Sequence, residues 1–159
     1  MKPSKNECFT GFKLSLENSK NFIDDAKLLL KTGSYGHSLG LSMLAMEECG
    51  KAILLLGVSN GITELDKELT NFIFKNHILK IVTALYNLAL YENYSKDEIE
   101  YIKSLASKLD LSKQRGFYVD YINKKWVTPQ DDDVIKMAKY NLNYTERIYD
   151  SLLLFLAHE

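Results

Sequence analysis

The sequence is poor in the residues that interrupt, staple or ligate a chain. Of its 159 residues only Pro3 and Pro129 are proline, so nothing between Ser4 and Thr128 forces a helix to stop. Cys8 and Cys49 are the only cysteines, too few for a thiolate metal set or a disulfide framework. A phosphate-binding glycine loop, a nucleophile elbow and a zinc-binding helix motif are all missing, and His37 and His158 have no partners at metal-ligand spacing. Neither a metal nor a cofactor is expected. No apolar run reaches the roughly 18 residues of a membrane span, and the opening MKPSKNECFTGFK lacks the apolar stretch of a signal peptide. The expectation is a cytoplasmic protein with no membrane partner. Arginine is scarce as well: Arg115 and Arg147 are the only two among 20 basic residues, and these against 21 acidic ones give a formal net charge of -1. Whole-molecule attraction to nucleic acid is thereby excluded, and any anionic partner must be met by a local patch.

What is present is ample material for a folded core, with 46% hydrophobic and 26% charged residues in a length that suits one domain over residues 1–159. Leu, Lys, Ala and Glu dominate the long segments and no period-two alternation appears, which predicts an all-α chain without strands. The first helix is expected over about residues 5–31, ended by Gly33, and the second over about 34–59, ended by Asn60-Gly61. The second is apolar nearly all round from Leu39 to Leu56 and should lie at the centre. Thr63, with Asp66 three residues on, is the expected cap of a third helix reaching about Tyr91. Ser95 and Glu98 have capping-box form and open a shorter helix through Leu109. Residues 113–127 read as irregular, and Thr128-Pro129 with Asp131, Asp132 and Asp133 reads as the start of a last helix running to Leu156. Four to five antiparallel helices joined by short loops make a bundle.

Two groups of residues stand out from this pattern. Glu47, Glu48 and Lys51 are the only charges between His37 and Leu56, and with Leu44 they fall on one stripe of the second helix. On the third helix His77 and Lys80 share a stripe with Ile73, Ile81, Ala84 and Leu88, so both polar patches point inward, while Lys75 falls elsewhere on the wheel. Two readings are open: an ion-pair network that holds the helices together, or a cleft in which a carboxylate orients an imidazole and lysines hold a phosphate. The second group is the run from Lys113 to Tyr121 with Lys124, Lys125 and Trp126, where basic and aromatic residues interleave. Such a mixture suits single-stranded nucleic acid, and equally a loop folded over the bundle with its rings packed and its charges solvated. A planar fork at Arg115 is notable in a chain so short of arginine.

The run from Ser38 to Ala52, containing Glu47-Glu48-Cys49-Gly50-Lys51, resembles the Glu-Glu-x-Gly-Lys helix of the AbiV family of phage abortive-infection proteins. His77-Ile78-Leu79-Lys80 is similar to that family's His-x-x-Lys element, and Tyr118-Val119-Asp120 with Trp126 and Pro129 resembles its Tyr-Val-Asp segment. The resemblance implies a HEPN-like helical bundle, commonly a homodimer and often a metal-independent endoribonuclease of toxin and antiviral systems, acting on RNA or a ribosome-associated target. In that chemistry a ribose 2′-OH attacks the adjacent phosphate with help from proton-transfer and charge-stabilising groups. The common HEPN motif, an Arg and a His separated by four to six residues, is absent: the corresponding positions are Asp120, Tyr121 and Ile122 after Arg115, and Leu152, Leu153 and Leu154 after Arg147. A nuclease built on this chain is therefore expected to use a cleft lined by Glu47, Glu48, Lys51, His77 and Lys80, with His77 as acid and base, Glu48 as the orienting carboxylate, and Lys51 and Lys80 on the phosphate. Arg115, Tyr118 and Asp120 are the expected substrate contacts. The alternative is a non-enzymatic module that binds a phage or host protein, with the ion cluster purely structural.

Overall fold

The computed structural model describes residues 2–156, apart from the side chains of Lys103, Phe155 and Leu156; His158 lies outside the described residues. It contains α1 (Lys5–Lys31), α2 (Tyr35–Ser59), α3 (Lys67–Lys75), α4 (His77–Tyr91), α5 (Lys96–Phe117), a hairpin of β1 (Asp120–Ile122) and β2 (Lys125–Val127), and α6 (Asp132–Leu156). The all-α bundle anticipated from composition is the architecture.

Local chemistry sets most of the boundaries. The Ser4 hydroxyl accepts from the Glu7 amide while the Glu7 carboxylate accepts from the Ser4 amide, and Ser95 and Glu98 repeat the arrangement at α5. At the other end of α1, Gly33 adopts φ 80°, and the amides of Gly33 and Ser34 donate to the carbonyls of Leu30 and Leu29. Gly61 at φ 72° closes α2 in the same way. Both positions need the left-handed backbone that glycine adopts without strain.

Four boundaries differ from the sequence expectation, each for a local reason. The third helix is two helices, because the Asn76 side chain accepts from the Leu79 amide and holds Asn76 extended, at once the last cap of α3 and the first of α4. Its start is capped by Asp66, which accepts from the Leu69 amide, and not by Thr63. Helix α5 runs to Phe117, well beyond Leu109, and the segment after it is a two-stranded antiparallel hairpin where no strand was expected. Asn123 and Lys124, at φ 51° and 64°, supply the paired left-handed residues of a tight hairpin turn. Finally, Thr128 spends its hydroxyl on Asp131 and forms a turn, so α6 begins at Asp132 and not at Pro129.

Helix α2 lies at the centre and touches every other helix. Its core side chains Leu39, Met43 and Met46 pack with Phe12 and Leu16 of α1, Ile81 and Leu88 of α4, and Ile148 and Leu152 of α6. Each such side chain contributes about 1.5–3 kcal/mol by leaving water. Small residues let the neighbours close in: Gly40 lies against the Phe117 ring, Gly36 against the backbone of Gly116, and Gly50 against the backbone carbonyl of Lys80. A methyl at Gly50 would sit 1.9 Å from that carbonyl oxygen, where no side-chain end is free to swing away. Gly50→Ala should therefore lower unfolding stability by at least about 1–3 kcal/mol. Gly57→Ala on the same helix meets open space, and it should leave stability unchanged or raise it by about 0.5–1 kcal/mol. Urea denaturation of the two variants checks both signs, and equal effects would contradict the close approach of α2 and α4.

Candidate functional site

Glu47 is the one carboxylate of α2 turned fully inward, with 4% of its surface exposed. Its Oε2 accepts from His77 Nδ1 at 2.6 Å and its Oε1 from Lys113 Nζ at 2.7 Å, while Lys80 Nζ lies 3.4 Å from Oε2. The two polar patches seen in the sequence thus meet at Glu47, His77 and Lys80. Lys80 is itself buried, and Lys113, from α5, is the member that sequence reasoning missed. It was legible in principle: Ala106, Leu109 and Lys113 follow helical spacing, and continuing α5 past Leu109 puts Lys113 on the inward stripe. Glu48, the expected orienting carboxylate, does not meet His77: one residue on from Glu47 it points to the partly exposed edge of α2, paired with Lys51 at 2.7 Å.

Burial pushes the Glu47 carboxyl up, but the hydrogen bonds and charges of Lys113 and His77 outweigh it and hold the group below the usual carboxylate range. Glu47 is therefore ionised at neutral pH and can only accept. That requirement fixes the imidazole: Nδ1 carries the proton that faces Glu47, which leaves Nε2 as the working nitrogen. Nε2 has no protein partner among the described residues, and His77 is 54% exposed on a cleft of about 440 Å³ that Asn71, Lys75 and Asp110 also line. Lys75 reaches this cleft because the chain breaks at Asn76, so one continuous helical wheel does not describe it.

Arg115, Tyr118 and Asp120 come together elsewhere, lining a cleft of about 380 Å³ between the end of α5 and the hairpin. The expected site is therefore two neighbouring groups, one at His77 and one at the hairpin. His37 belongs to neither: it bonds the Ser34 hydroxyl and packs beside Phe117. The Cys49 thiol bonds to Ser19 and is pushed up to about 12 by burial, which leaves it unreactive. Among the described residues no group of three or more His, Cys, Asp or Glu side chains is placed to hold a metal, and no helix is long and apolar enough to cross a membrane.

A helical bundle is the fold that the HEPN resemblance anticipated. The AbiV family model of the HEPN group matches residues 7–150, and the chain belongs to that family. Membership points to abortive infection, a defence against phage. No curated protein and no solved structure gives a significant match.

The hub makes a pH-dependent contribution whose sign is fixed. Because Glu47 is held below its unfolded value, its stabilisation is present above about pH 4.3 and is lost as pH falls through the lower folded value. Glu47→Gln should cost about 3 kcal/mol at neutral pH by stranding the buried Lys80, and the gap to wild type should close in acid. Glu48→Gln should cost less than about 1 kcal/mol. Denaturant melts of the three proteins across pH test this, and a gap that is constant with pH would refute the ionised hub. The capping carboxylates Glu7 and Glu98, also held low by their serines, titrate equally in all three and cancel.

Proposed function

We propose that the protein defends against phage by cleaving RNA without a metal ion, with His77 as its acid–base group. The observation that carries this reading is the His77–Glu47 pair, in which one ring nitrogen is anchored on a buried carboxylate and the other is open on a cleft. Nε2 takes the proton of a ribose 2′-OH as the 2′-oxygen bonds to the adjacent phosphorus. The bond from phosphorus to the 5′-oxygen then breaks, and the proton returns from the imidazolium to that leaving oxygen. The products are a 2′,3′-cyclic phosphate and a 5′-hydroxyl end. Glu47 orients the ring and steadies its protonated form. Lys80 and Lys113 act through Glu47, as positioning residues, since their ammonium groups already face it. Lys75 lines the cleft and has no ion-pair partner among the described residues, which suits it to the phosphate.

Incubation of wild type and His77→Ala, matched for melting temperature, with total cellular RNA in the presence of a chelator tests the reading. Wild type should give products ending in cyclic phosphate, and His77→Ala should be slower by about 10²–10⁴-fold. A folded wild type that leaves RNA intact would sink the ribonuclease and favour a module that binds a phage or host protein, with the hub purely structural.

A further inference from the structure

The chain contains a single tryptophan, and 71% of Trp126 is exposed. Directly across the hairpin is Tyr121, 57% exposed, its ring centroid 5.1 Å from that of Trp126. Strand alternation explains the pairing: Ile122 and Val127 fall on one face of the ribbon, half-buried, and Tyr121 and Trp126 on the other. A two-stranded hairpin this short is marginal by itself, and its exposed face carries two large rings in contact with each other.

Charge narrows what such a face fits. Lys124 lies in the turn, Lys125 follows it, and Arg115 stands at the base, and none of the three has an ion-pair partner among the described residues. The cleft of about 490 Å³ between hairpin and α6 sets Arg115 and Lys125 against Asp131 and Asp133, so its interior is balanced and the surplus of positive charge lies at the turn. An unpaired cation in the turn beside exposed ring faces matches a flexible polyanion that carries rings of its own, and Lys125, paired across the ribbon with Ile122, faces the cleft instead. The two clefts are linked through α5: Asp110 lines the His77 cleft, and Gln114, one turn on, lines the cleft beside the hairpin with Tyr118, the residue that follows the helix.

We infer that the outer face of the hairpin is a docking surface for single-stranded RNA, in which Tyr121 and Trp126 stack on unpaired bases and Lys124, in the turn beside them, meets a phosphate. The choice of RNA over DNA rests on the function proposed above; the choice of an unpaired strand rests on the rings alone, since a duplex keeps its base faces covered.

The single tryptophan makes the test direct. His77→Gln, which holds RNA without cutting it, is titrated with an unstructured oligoribonucleotide of about 12 nucleotides while Trp126 emission is followed. Emission should be quenched to saturation, and a duplex of the same length should not quench it. With a labelled oligonucleotide, Trp126→Ala in the same background should bind about 5- to 100-fold more weakly, and Trp126→Tyr should keep most of the affinity. Lys124→Ala should lower the slope of log affinity against log salt by about 0.7, and Lys125→Ala, on the opposite face, should leave it unchanged. Absence of binding, binding that leaves Trp126 unquenched, or equal affinity in Trp126→Ala would overturn the inference. So would a concentration-dependent dimer that Trp126→Ala abolishes, which would give the face to a second copy. Cleavage by wild type with unchanged KM in Trp126→Ala would reject the hairpin and leave His77 standing. Binding lost in Trp126→Ala, with no cleavage by wild type, would do the reverse.

Discussion

The burial of one carboxylate constrains the rest of the molecule. Taking Glu47 out of water costs several kcal/mol unless cations follow it in, and α2 has none to offer, since its own Lys51 is engaged with Glu48. The cations come from α4 and α5, so these helices must approach α2 at one level and in one register. Gly50 permits that approach, because the Lys80 backbone occupies the space a side chain would fill. A purely apolar seam would tolerate sliding by a turn; a carboxylate with three partners does not.

This gives the Glu-Glu-x-Gly-Lys helix a physical meaning residue by residue. Glu47 gathers the two neighbouring helices, and Glu48 and Lys51 form a rim pair of little energetic weight. Cys49 turns to α1, where the Ser19 hydroxyl meets both its sulfur and the Ala45 carbonyl, and Gly50 sets the distance to α4. Two acids side by side thus have unlike tasks, because a step of 100° carries one of them into the core and leaves the other at its edge. The pattern points to Glu48 as the orienting group, and packing gives that place to Glu47.

Much of the fold was legible because much of it is decided locally. Caps of a few residues end α1 and α2 where glycine and asparagine announce them, and a serine three residues before a glutamate opens α1 and α5. The signals that failed were also local, but in competition. Thr63 and Asp66 were both eligible caps, and Asn76 interrupts a run whose apolar spacing continues on either side of it. That interruption shifts the phase of α3 against α4, which is why Lys75 was read away from the cleft that it lines. Strands of three residues are too short for alternation to register, so the hairpin showed only as an irregular stretch rich in rings and charge. The meeting of Glu47 with Lys113 spans 66 positions, and no periodic pattern within one helix contains it.

Helix α5 joins the two halves of the site. Lys113 ties it to the hub, and four residues later Phe117 seals it over Gly40 at the start of α2, with Gly116 closed on Gly36 beside it. Four residues of helix are about 6 Å, so the ion pair and the ring contact hold α5 at two points of a single turn. The hairpin leaves the helix directly after that clamp, with Ile122 and Val127 on its half-buried face. The position of the exposed ring pair is therefore set by the same helix whose lysine neutralises Glu47. A strand held on the rings and a phosphate reaching His77 would both report on the placement of α5, and loosening Lys113 from Glu47 would relax the imidazole and the docking face together.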